Sequence, residues 1–151
     1  MGVDALRSFL RRNRRVALDT NVFIYHLEAN SKYLALTELL FSTLERTGLE
    51  AVTSTITMTE LLIPAYRLGD EQKVDELYSM LSRFPHLEWV PPGLEIADIA
   101  ARLRARHRLK TPDALQAATA VHAAAAGFIT NDSVFTRMTP FETLLLDRIL
   151  P

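Results

Sequence analysis

The feature that most constrains this chain is an alternation. Short β-prone runs alternate with segments whose apolar residues recur with a helical period, up to the fourth run. The runs are Arg15–Leu18, Glu50–Thr53, Leu87–Val90, Phe128–Thr130 and Glu142–Leu146. Between them the pattern predicts helices from Asn21 to about Glu28, from a Ser31 cap to about Arg46, and over Thr55–Leu68. Further helices are predicted from an Asp70 cap to just before Pro85, over Leu94–His107, and over Thr111–Ala126. Thr111-Pro112 reads as a helix start, and Gly69 and Gly127 stand where helix C-caps belong. Strands separated by helices pair in parallel, and such a sheet needs cover on both faces. The expected fold is therefore α/β, a three-layer α/β/α sandwich around a mostly parallel sheet.

The chain has 151 residues, of which 48% are apolar, which is enough for one domain with its own core. We find no repeat, low-complexity tract or linker, so residues 1–151 are expected to form a single domain, with an additional Arg-rich segment at 1–15. The absence of Cys removes disulfide scaffolds, thiolate metal sites and cysteine nucleophiles, and it suits a reducing, cytoplasmic compartment. No apolar run approaches the ~20 residues of a membrane span, so no membrane partner is expected. The basic residues at the N-terminus follow the apolar ones, the reverse of a secretory signal. A net charge of −1 weighs by itself against a nucleic-acid partner, but the distribution of that charge points the other way.

In open parallel sheets ligands bind beyond the carboxyl ends of the strands. The first strand ends at Asp19, the second leads into the helix carrying Glu60, and the fourth runs into Thr130-Asn131-Asp132. Asp113 opens the Ala-rich helix. Each acid also has an ordinary reading. Asp19 and Asp132 can cap helices, Asp113 suits a first helical turn, and Thr57 to Glu60 matches a capping box. Those readings explain the acids one by one and leave their shared edge unexplained. Carboxylates gathered there repel unless a cation joins them, and an all-oxygen donor set suits Mg²⁺ or Mn²⁺.

These residues carry a family resemblance. LDTNVFIYHLE from Leu18, TMTELL from Thr57, TPDALQAATA from Thr111 and ITNDSVF from Ile129 occur in the order of PIN-domain ribonucleases. Within those the chain resembles VapC-type toxins of toxin–antitoxin systems, from about residue 16 to 146. The resemblance implies a metal-dependent endoribonuclease whose acidic quartet is Asp19, Glu60, Asp113 and Asp132. Asp19, Asp113 and Asp132 would hold the ion, and Glu60 would orient the attacking water or hold a second ion. Asn21 and Thr130 would support the ligands by hydrogen bonds. The implied partners are an RNA substrate, a cognate antitoxin and a second copy in a homodimer. The chain departs from the family in the residues ahead of its first strand, which include Arg7, Arg11, Arg12 and Arg14 and are open as a helix, an RNA-binding arm or a start-site artefact.

A second basic segment precedes Asp113. Arg104, Arg106, Arg108 and Lys110 are candidates for guiding RNA phosphates to the acids, against the plainer reading of a solvated helix end. The four His show no ligand spacing. The phosphate-binding loops of nucleotide folds are absent, and an aspartyl-phosphate phosphatase expects Asp where this chain has Asn21. The competing functions are a catalytically idle PIN-like binding module and a housekeeping RNA-processing nuclease.

Overall fold

The computed structural model describes residues 2–46, 48–138 and 140–151. In chain order the elements are α1 (Gly2–Arg12), β1 (Arg15–Leu18), α2 (Thr20–Leu27), α3 (Leu34–Glu45), β2 (Glu50–Ser54), α4 (Thr55–Arg67) and α5 (Glu71–Ser82). There follow β3 (Leu87–Val90), α6 (Leu94–His107), α7 (Thr111–His122), β4 (Gly127–Thr130), a 3₁₀ turn (Ser133–Arg137), β5 (Glu142–Leu145) and α8 (Leu146–Ile149). The strands form one sheet in the order β3-β2-β1-β4-β5, with every pairing parallel. Among the described residues no helix is long and apolar enough to cross a membrane.

Period-two alternation sorts the strand side chains into two cores. Val16, Leu18, Ala51 and Ile129 face one layer, packing with helices α1 to α5 and α8. Ala17, Val52 and Phe128 face the other, against α6, the small residues of α7, and Phe135 and Phe141. Ala114, Ala117, Ala118 and Ala120 are buried, so α7 lies close on the sheet.

The N-terminal arginine segment is a helix whose apolar face joins the first core through Leu6, Phe9 and Leu10. Arg12 pairs with Glu142 at 2.6 Å, and Arg15 bridges Glu50 and Glu88, each at 2.7 Å. Arg12, and after it Asn13, holds the Glu142 carboxyl below its ordinary range by hydrogen bonding.

Several boundaries differ from the sequence reading for local reasons. Ser31 does not cap α3, which starts at Leu34 behind an N-cap residue, Tyr33, that makes no side-chain capping bond. Thr111 is the first helical residue of α7 and not its cap. That helix stops at His122, because Ala124 turns the chain in the left-handed region at φ 56°. Gly127 consequently opens β4 and caps no helix. A Cβ there would lie 2.6 Å from Cζ of Phe9, so the glycine is the seat of the α1 ring. β5 ends at Leu145, and Leu146 begins the short α8.

Phe9 is wholly buried. Phe9→Ala is expected to cost about 3–5 kcal/mol in a urea titration. A loss under 1 kcal/mol would remove α1 from the core.

Candidate active site

Because the sheet is parallel, β1, β2 and β4 deliver their carboxyl ends to one edge. β1 lies at the centre, and the chain departs from it to β2 and later returns to its other side as β4. That reversal of strand order is where open α/β sheets form clefts. Leu18 pairs with Ile129, so Asp19 follows one strand beside Thr130 at the end of the other. The backbone N–H of Asp19 donates to the Ile129 carbonyl at 3.0 Å, extending the ladder by one step.

Asp19 is 9% exposed. Its Oδ1 accepts from the backbone N–H of Thr20 at 2.8 Å, and its Oδ2 accepts from the Thr130 hydroxyl at 2.7 Å. Burial pushes its carboxyl up to about 6 from an ordinary 3.8. Thr130 and Thr20 pull it back, while Asp113 and Glu60 push it further up. Asp113, half-buried in the first turn of α7, is also raised, chiefly by burial and then by Asp132, with Lys110 opposing. The four acids therefore share one electrostatic neighbourhood.

They do not form a finished cage. Among the described residues, no group of three or more His, Asp or Glu is placed to hold a metal ion together. Asp132 and Glu60 are exposed, and Asp132 Oδ1 accepts the Val134 N–H as the cap of the 3₁₀ turn. Asn21 does not hydrogen-bond the acids. Both Asp19 oxygens already accept from Thr20 and Thr130, and the buried Oδ1 of Asn21 has no hydrogen-bond partner. The chemistry of the site nevertheless fits a hard divalent cation. It offers carboxylates that raise one another's proton affinity and an orphaned amide oxygen two residues after Asp19, with no sulfur donor.

Glu60 is held by residues whose part in holding it no motif shows. The Thr20 hydroxyl donates to Glu60 Oε1 at 3.1 Å, and behind Thr20 lie the buried Thr57 and Gln116. Thr57 falls inside α4, whose cap is Ser54, so the Thr57–Glu60 capping box does not form. Asn131 was equally silent. Its Nδ2 donates to the hydroxyls of Tyr25 and Tyr33, whose rings stack 4.0 Å apart, and its Oδ1 accepts from the Asp147 N–H.

The basic segment divides. Arg104 donates to the Leu109 carbonyl and the Thr111 hydroxyl, bracing the turn between α6 and α7. Two of its five N–H groups serve the fold, and the side chain stays exposed. Arg106, Arg108 and Lys110 are exposed as Arg104 is, and among the described residues no side-chain bond to the fold engages them. Arg108 ends α6 in the left-handed region at φ 53°.

The Asp19 carboxyl sets a pH dependence. Its folded-state value lies above the ordinary 3.8, so the native state takes up the proton more readily. The resulting penalty is absent below 3.8, grows with rising pH and is complete above about 6, at on the order of 3 kcal/mol. Denaturant titrations in EDTA are expected to show Asp19→Asn gaining about that much on wild type between pH 4 and pH 7.5. A difference independent of pH would contradict the burial argument.

The PIN domain family matches residues 16–139. No curated protein sequence matches the chain. Solved structures with a similar fold include DNA-bound VapBC from Salmonella typhimurium, at 21% identity and TM-score 0.68, covering 87% of this chain and 98% of that one. VapBC2 from Rickettsia felis, bound to a DNA fragment from its promoter, has 22% identity and TM-score 0.65 over 87% of this chain and 98% of that one. A toxin–antitoxin complex from Klebsiella pneumoniae has 23% identity and TM-score 0.61 over 84% and 98%. The ordered acids, the parallel sheet that gathers them at one edge, and a family match spanning most of the chain lead to one assignment: this protein belongs to the PIN domain family.

Proposed function

We propose that this protein is a divalent-metal-dependent endoribonuclease and the toxin of a toxin–antitoxin pair. The observation that carries the reading is Asp19, a buried carboxylate at the switch point of a PIN sheet, fixed through both oxygens and coupled to Asp113 and Glu60. Asp19, Asp113 and Asp132 would hold Mg²⁺ or Mn²⁺. Bound there, the ion would offset phosphate charge and acidify a water for attack on phosphorus.

The chain's own residues have separate tasks. Thr130 and the Thr20 N–H fix the Asp19 oxygens, so the carboxylate does not reorient when RNA arrives. Glu60, exposed and anchored from behind by Thr20, orients the nucleophilic water. Arg106, Arg108 and Lys110 present charge to the RNA backbone ahead of Asp113. The partners on this reading are a cognate antitoxin and a second copy of the chain. The solved structures of similar fold are themselves toxin–antitoxin complexes, which supports the antitoxin, and a small neighbouring reading frame for a DNA-binding protein would agree with it.

RNA cleavage is expected with Mg²⁺ or Mn²⁺, to stop with EDTA, and to be lost in a folded Asp19→Asn protein. Activity surviving both EDTA and the substitution would defeat the mechanism. Arg106→Gln with Arg108→Gln, which leaves Arg104 to its structural bonds, should reduce the log–log salt slope of single-stranded RNA binding by about 1 to 2. An unchanged slope would place both arginines outside the interface.

A further inference from the structure

Four buried polar side chains from four elements meet behind Glu60: Thr20 on α2, Thr53 on β2, Thr57 on α4 and Gln116 on α7, each 4% exposed or less. Buried polar groups are costly unless hydrogen-bonded, so such a cluster in an otherwise apolar layer needs a reason. Its ends supply one. The Gln116 Nε2 group can only donate, and it reaches Thr57 Oγ1 at 2.9 Å and Thr20 Oγ1 at 3.4 Å. At the other end the Glu60 carboxylate can only accept, and Thr20 lies 3.1 Å from its Oε1.

Between those ends one direction of the hydroxyl hydrogens serves both the Gln116 and the Glu60 contacts. Thr57 accepts from Gln116 and lies 3.0 Å from Thr20, so its single hydrogen is available to Thr20. Thr20 then accepts from Thr57 and Gln116, and its own hydrogen goes to Glu60. Thr53 lies 2.9 Å from both Thr57 Oγ1 and the Leu18 carbonyl, and its single hydrogen, given to Thr57, leaves the Thr57 hydrogen for Thr20. No ion pair holds Glu60 among the described residues, so this relay is what limits an exposed side chain with three rotatable bonds.

We propose that Gln116 is a positioning residue, acting through Thr57 and Thr20 to aim Glu60 at the site. The consequence for cleavage rests on the nuclease reading above; the relay itself does not.

The test uses the full-length protein, with the Glu60 carboxyl carbon followed by NMR in the metal-free state at one pH and assigned by Glu60→Gln. Gln116→Met removes the donor at similar length. Thr57→Val breaks the relay in the middle with little change of shape, and Thr57→Ser restores the hydroxyl. The Glu60 resonance is expected to move in Gln116→Met and Thr57→Val and to stay in Thr57→Ser. Cleavage with Mn²⁺ should show kcat lowered about tenfold at unchanged KM in the first two variants, with the double variant no worse than either. A Glu60 resonance unmoved in both relay-breaking variants would overturn the proposal, as would a kcat loss in Thr57→Ser equal to that in Thr57→Val. If Gln116→Met does not fold, the Thr57 pair decides alone. A wild-type protein that cleaves no RNA while its resonance moves as expected would defeat the nuclease reading and leave the relay standing.

Discussion

The site depends on a carboxylate withheld from water. Asp19 follows β1 directly, at the centre of the sheet and at the edge where the strand order reverses, and it is buried there. Two donors meet its two oxygens, yet burial still dominates and lifts its proton affinity. A folded protein keeps such a group at a cost, and acids nearby increase it. A divalent ion would reverse that balance, turning mutual repulsion into shared coordination and linking ion binding to stability. The surrounding architecture serves this arrangement. The parallel register sets Thr130 beside Asp19, the tight α7 packing brings Asp113 in from the opposite layer, and α4 carries Glu60 to the rim.

Much of the fold was legible because its signals are local. Short β-prone runs marked all five strands, and the helices between the first four pointed to a parallel sheet. The positions of the acids after strands marked the edge where a site belongs. What stayed hidden depends on partners distant in sequence. Thr20 meets Thr57 across 37 residues, and Gln116 meets Thr57 across 59, so no motif contains the relay. Gly127 reads as a helix cap until the Phe9 ring is seen against it. Asn21 has the spacing of a supporting residue, but the donors that reach Asp19 are the Thr20 N–H and the Thr130 hydroxyl.

Charge was misleading as a total and informative as a distribution. The N-terminal arginines divide their work, with Arg12 and Arg15 committed to acids on the sheet and the apolar side of α1 buried beneath them. Of the basic residues before Asp113, all four of Arg104, Arg106, Arg108 and Lys110 are exposed, and Arg104 also braces the backbone turn. Positive charge near the acids thus belongs to a short stretch that ends three residues before Asp113.

On the proposed function the strand-end acids take a divalent ion. The most direct measurement is anomalous diffraction at the manganese edge from crystals of the protein grown with Mn²⁺. An anomalous peak coordinated by Asp19 and Asp113 is expected, and it should be missing from Asp19→Asn crystals. Well-ordered crystals with Mn²⁺ bound only elsewhere, or with Asp19 and Asp113 free of any ion at saturating Mn²⁺, would contradict it.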